Sequence, residues 1–152
     1  MSFKIMVKIE DNEVKTLLAG MLSRAENAQP VMHIFGEIVK ASIMRNFEKG
    51  GRPTQWKPSL RALKTGGKTL VNKGVSGGLM GSIHYRAYTS KVEISANKVY
   101  AAVHQFGIGA RSIIGTRRRM PAIPARPYLL VQDEDWMEMK EATSRYLTEG
   151  SK

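Results

Sequence analysis

Thirty residues in the middle of the chain, 49 to 78, hold Gly50, Gly51, Gly66, Gly67, Gly74, Gly77 and Gly78, together with Pro53 and Pro58. A stretch with this composition does not sustain long helices or strands, because glycine loses much backbone entropy on ordering and proline removes a hydrogen-bond donor. It divides the chain into two blocks of regular structure. A connection of about 15 residues or more is uncommon in a compact domain and tends to be functional or disordered. A short helical turn over 58–64 fits inside the stretch. The rest is expected to be mobile in an isolated subunit.

The block before it begins with Phe3, Ile5, Val7 and Ile9 alternating with Lys4, Met6, Lys8 and Glu10. That period of two predicts a half-buried strand and lacks the continuous apolar run of a signal peptide. Asp11 is placed to cap a helix whose apolar face holds Val14, Leu17, Leu18, Met21, Leu22 and Ala25. After a break at 27–30, Val31, Ile34, Phe35, Ile38, Ser42 and Phe47 predict a second, longer helix over 31–48, ended by Gly50–Gly51.

In the block after it, Ile83, Tyr85 and Ala87 alternate with polar residues, as do Val92, Ile94 and Ala96. This predicts a hairpin turning at Thr89–Ser90. Asn97 is a candidate cap for a short helix with Val99, Val103 and Phe106 on one face, ended by Gly107. Residues 107–127 read as a second long loop with three prolines. A short strand over 128–131 and a final helix over 133–147, with Trp136, Met139, Thr143 and Leu147 on one side, complete the chain. Strands and helices are segregated rather than alternating, which predicts α+β: a small antiparallel sheet packed against helices, with two long basic loops at about 49–78 and 107–127. The 152 residues, 42% apolar, suit one domain over 1–152. No apolar run approaches the ~20 residues of a membrane span.

Charge is unevenly spread. The net charge is +11, but residues 1–48 are neutral, 49–132 carry net +14 with Glu93 as the lone acid, and 133–152 carry net −3. Such a surplus implies an anionic partner. Arg111, Arg117, Arg118 and Arg119 form a candidate basic patch that, with Arg126, could grip phosphates, while Trp56, Tyr85 or Tyr88 could stack on bases. No helix-turn-helix, zinc finger or RNA-recognition motif accompanies them. The favoured alternative packs these loops on neighbouring subunits, whose acidic C-terminal segments neutralise them across a heterologous interface.

Catalysis finds little support. Cysteine is absent, which excludes disulfides, thiolate metal sites and thiol nucleophiles, and fits a reducing cytoplasm. His33 and Glu37 have ligand-like spacing but complete no metal motif, and read as a surface pair. His84 alternates outward on its strand. His104 lacks a companion in sequence for general-base chemistry. Ser59, Ser76 and Ser82 sit in no nucleophile elbow, and Gly77–Ser82 lacks the ending of a phosphate loop. The acids at 133–138 read as helix-start residues. No enzyme activity, cofactor or metal is expected.

Four pieces in order carry a resemblance. They are Gly51-Arg52 with Trp56-Lys57-Pro58-Ser59-Leu60; Leu70 with Gly78-Leu79-Met80-Gly81-Ser82-Ile83; Val99 to Gly107; and Ile123-Pro124-Ala125-Arg126-Pro127-Tyr128-Leu129. Over about 31–152 the sequence resembles the phage virion morphogenesis family, the tail-completion proteins of Mu-like and P2-like tailed phages and prophages. It departs from the pattern at Gly77, where Thr is expected. The resemblance implies a structural subunit in tail completion and head–tail joining, at the head-proximal tail end or neck. It implies a homo-oligomeric ring, often of six subunits in similar proteins, touching other tail or neck proteins and the DNA that passes through. It places the protein in the host cytoplasm during assembly and in the virion tail or neck afterwards, with no membrane partner. Within the matched pieces, Trp56, Leu79, Ser82, Tyr100, His104, Gln105, Phe106, Gly107, Arg126 and Pro127 are the candidate interface or loop-anchoring residues. Tyr100, His104 and Phe106 are expected to anchor the short helix, Gly107 to adopt a left-handed conformation, and Arg126 to pair with an acid. The two loops are expected to become ordered only against neighbours. The competing reading is a nucleic-acid-binding protein that uses the basic loops.

Overall fold

The computed structural model describes residues 11–71, 78–112 and 119–149; the strand expected over 3–9, and Ser76, Arg117 and Arg118, lie outside them. Helix α1 spans Asn12–Glu26, α2 Gln29–Lys49, α3 Leu60–Thr65, α4 Ala101–Phe106 and α5 Asp133–Glu149. Strands β1 (Ile83–Ala87) and β2 (Val92–Ala96) form an antiparallel hairpin. β3 (Arg111–Ser112) and β4 (Arg119–Met120) form a two-residue ribbon. The architecture is α+β. α1 packs on α5, α5 on α2, and α2 on the hairpin.

The hairpin register is the one its alternation predicts. Ile83 pairs with Ala96, Tyr85 with Ile94 and Ala87 with Val92, and the turn closes with Tyr88 N–H donating to Lys91 O at 2.8 Å. Two strands alone are marginal in water. Here α2 supplies the missing layer through Gly36. A Cβ built at Gly36 would stand 2.2 Å from the Tyr85 ring. The helix therefore carries a residue that costs it about 1 kcal/mol relative to alanine, so that the ring can lie on its backbone. The Tyr85 hydroxyl donates to Glu37 at 2.6 Å and its ring meets His33 edge-on. The His33–Glu37 pair is thus organised around Tyr85, and the hydrogen bond to Glu37 holds the Tyr85 pKa above its ordinary value.

The core gathers Ile38, Val39, Ile43 and Phe47 from α2 with Trp56, Leu79, Met80, Ile83, Ala101, Tyr128, Met139 and Ala142. Phe47 is its aromatic centre, edge-on to Trp56 at 5.7 Å and tilted against Tyr128 at 5.3 Å. α2 ends at Gly50 in the left-handed conformation (φ 73°), as the sequence predicts.

Several local expectations change. Asp11 stands at the start of α1 but its side chain makes no cap bond. α4 begins at Ala101, after Tyr100, rather than directly after Asn97. The buried face of α5 is Asp135, Met139, Ala142 and Tyr146, one position off the expected stripe, and Trp136 is exposed. None of the α1 residues is buried. The helix is tied instead at its end: the Arg24 guanidinium donates to Leu147 O, and the Tyr146 hydroxyl to Asn27 O.

Replacing Gly36 by alanine is expected to destabilise the protein by about 1–3 kcal/mol despite alanine's better helix propensity, because the Tyr85 ring must move. The denaturant midpoint of G36A against wild type checks this; a stabilised variant would show the ring gives way freely.

Candidate functional site: the junction of matched segments

No strand forms over 128–131, although the pattern predicts one. Side chains have taken the backbone groups a strand would use. Gln105, at the end of α4, accepts with Oε1 from the N–H groups of both Tyr128 and Leu129, each at 3.0 Å. Asn46 donates to Tyr128 O at 3.1 Å, and the Trp56 indole donates to Pro127 O at 3.0 Å. The Tyr128 hydroxyl reaches Ala101 O at 3.3 Å. A segment gripped in this way is fixed without a neighbour, so the α4, Trp56 and 126–129 segments lock together in the single chain.

Arg52 ties the same junction to α5. Its guanidinium donates to Asn46 Oδ1 at 2.9 Å, to Ser42 Oγ at 2.7 Å and to Ser42 O at 3.1 Å, and pairs with Glu134. Ser42 and Asn46 lie one helical turn apart on α2 and are fully buried, so Arg52 satisfies polar groups that would otherwise be orphaned in the core. Gly51 lets this turn close. It has φ 115°, and a Cβ there would stand 2.6 Å from Thr54 O. The start of α5 carries one half of a capping box. Asp135, fully buried, accepts from Gln132 N–H at 2.8 Å and faces Arg45 at 3.4 Å. The acidic first turn of α5 therefore pairs with arginines of its own chain, at Glu134 and Asp135.

Residues 52–71 are likewise held to the body in the single chain. Trp56 and Ala62 are buried. Ser59 caps α3 by accepting from Ala62 N–H at 3.1 Å, and its own N–H donates to Thr69 Oγ1 at 3.1 Å. Arg61 closes the turn onto Lys68 O and Val71 O at 2.6 and 2.7 Å.

The candidate anchors divide. Leu79 and Ser82 are buried, with the Ser82 hydroxyl donating to Leu79 O at 2.7 Å to close the turn before β1. Gly107 has φ 73°, and a Cβ there would stand 2.7 Å from Ala125 N, so the 123–125 backbone occupies the space a side chain would need. Arg126 is buried, and among the described residues it pairs with no acid. It donates to Lys57 O at 2.8 Å and Pro58 O at 3.5 Å, while its N–H donates to His104 O at 2.7 Å. Carbonyls suffice because an arginine presents several donors in a fixed fork. Phe106 does not anchor α4; the residue is 78% exposed. Tyr100 touches the His104 ring edge-on at 5.7 Å. Arg111 and Arg119 sit in the β3–β4 ribbon, paired with Met120 and Ser112.

His104 stands between Tyr100 and Arg126. Among the described residues its buried Nδ1 has no hydrogen-bond partner. Burial first, and the Arg126 charge second, hold its pKa below the ordinary value. The folded state thus favours the neutral ring. Among the described residues no group of three His, Asp or Glu could hold a metal, and no helix is long and apolar enough to cross a membrane.

This junction joins three of the four segments that carry the resemblance, and the chain belongs to the phage virion morphogenesis family, whose model matches residues 9–148. A curated relative is the Mu-like prophage FluMu G protein 2 of Haemophilus influenzae, 31% identical over 144 residues, which cover 93% of this chain and 96% of that protein. No solved structure matches the chain. Its class is therefore virion morphogenesis, with a structural role.

Sequence reasoning missed Ser42, Asn46 and Asp135 as junction residues. The available signal was polar positions four apart, Ser42 and Asn46, on the apolar stripe of α2.

Gln105→Met, which keeps the length but removes both acceptor and donor, is expected to cost about 1–3 kcal/mol, since two backbone N–H groups lose their partner; chemical denaturation measures it. Lowering pH through the ordinary histidine range is expected to reduce the melting temperature. The unfolded chain takes up the His104 proton at a higher pH than the folded one, so stability held above the unfolded pKa falls as pH drops. His104→Gln should shallow that slope, and an unchanged slope would assign it to other groups.

Proposed function

We propose that the protein acts in tail completion and head–tail joining, as a ring at the head-proximal end of the tail or in the neck. The match to the virion morphogenesis family over residues 9–148 is the observation that carries this reading. The junction supports it. Trp56, Gln105, Tyr128 and Arg126 lock three of the four matched segments into one rigid body, as a subunit that must present a fixed surface to a tail requires. The role is mechanical and needs no reacting group.

The surplus of positive charge favours a second reading, contact with DNA through the central part of the chain. Residues 49–132 carry net +14, and among the described residues only Glu93 opposes it there. Binding of this kind weakens steeply with salt and ignores sequence.

Disrupting the reading frame in an inducible prophage, with the wild-type chain supplied from a plasmid as control, is expected to leave filled heads and separate tails in the lysate. Electron microscopy and plaque counts read the result; joined, infectious particles without the protein would overturn the proposal. Light scattering at low and high salt, with and without duplex DNA, separates the two readings. A discrete oligomer indifferent to DNA supports the ring, whereas a salt-sensitive shift that appears only with duplex supports the second.

A further inference from the structure

Among the described residues, two of the apolar surfaces that lie open sit on different elements. The first is the α1 face. Val14, Leu17, Leu18 and Leu22 stand at positions i, i+3, i+4 and i+8, and Leu18 and Leu22 are 56% and 62% exposed. That spacing is the anchor pattern of a helix that docks into a groove. The second is a groove of about 530 Å³ between β2 and α4. Ile94, Ala96 and Leu129 line it, and Val99 and Phe106 form its rim. Val99 is 100% exposed. Large apolar side chains left so open in a cluster mark an interaction surface.

We infer that the two surfaces are the halves of one contact between copies of this chain: the α1 stripe of one subunit seats in the β2–α4 groove of the next. This rests on the ring reading above and names the interface that would build the ring. Because stripe and groove are different surfaces, the contact is heterologous and adds subunits head to tail until it closes. Charge complementarity supports the second copy as occupant. Lys98 lines the groove, and among the described residues no carboxylate does. On α1, Lys15 pairs with Asp11, and Arg24 turns to the carbonyl end of α5. Among the described residues Glu13 and Glu26, at the two ends of the helix, enter no ion pair, so the stripe is flanked by acids where the groove offers a lysine. α1 packs on α5, while the groove belongs to the hairpin and α4, which leaves each surface open to a different neighbour.

The test uses the full chain and two substitutions at exposed positions, Leu18→Glu and Val99→Glu, with sedimentation velocity as readout and circular-dichroism melts to confirm folding. Each places a carboxylate in an apolar contact and is expected to weaken self-association about 100-fold or more, leaving a folded monomer. Mixed in equal amounts, the two variants are expected to give a heterodimer and nothing larger, because one intact stripe then meets one intact groove. Were α1 to pair with α1, V99E alone would dimerise, and that result overturns the inference. A mixture that stays monomeric overturns it as well. Oligomers unchanged in both variants overturn this interface while the ring stands. A wild-type chain monomeric at every concentration overturns interface and ring together, and the role in tail completion is then judged by particle morphology alone.

Discussion

The backbone of Pro127, Tyr128 and Leu129 is held by three side chains, Trp56, Asn46 and Gln105, instead of by a neighbouring strand, and the rest of the core depends on that arrangement. It fixes the Tyr128 ring against Phe47, which in turn carries Trp56. Arg52 extends the same network from Asn46 and Ser42 to Glu134, so the end of α2 and the start of α5 are clamped by one guanidinium. A bidentate-capable planar cation suits this place better than a lysine, whose single ammonium could not span the same partners.

Amphipathic period carried much of the fold. The β1–β2 register follows from Ile83, Tyr85 and Ala87 alternating with His84 and Arg86, and the end of α2 from Gly50. Period alone does not say what covers an apolar face. The α1 stripe reads the same whether it is buried in its own chain or left open, which is why its exposure was not legible. The segment over 128–131 has strand-like composition, yet its partners are side chains distant in sequence, and no local pattern reports them. Arg126 misled for a related reason. A buried arginine suggests a carboxylate, but carbonyls of Lys57 and Pro58 fill that need.

The matched segments were legible as a set before their meeting was. Trp56, Gln105, Arg126 and Gly107 are all found at the junction, whereas Phe106 faces outward beside the β2–α4 groove. The acids at the start of α5 are tied to Arg52 and Arg45 of the same chain, so Glu134 and Asp135 neutralise their own subunit before any neighbour. These two acids therefore leave less negative charge to offer the basic residues of a neighbour than the sequence totals suggest.

The network has a temporal consequence. Asn46 waits for Tyr128, 82 positions later, Arg52 for Glu134, and Arg24 for Leu147, 123 positions later. Loop closure over such separations must precede the contacts that reward it, which slows folding and makes it all-or-none. While α5 is still inside the ribosome, Arg52 and Arg45 lack Glu134 and Asp135, and the core lacks Met139 and Ala142. A subunit halted in synthesis before α5 emerges therefore cannot close its core, and only completed chains have a fixed surface to offer a growing particle.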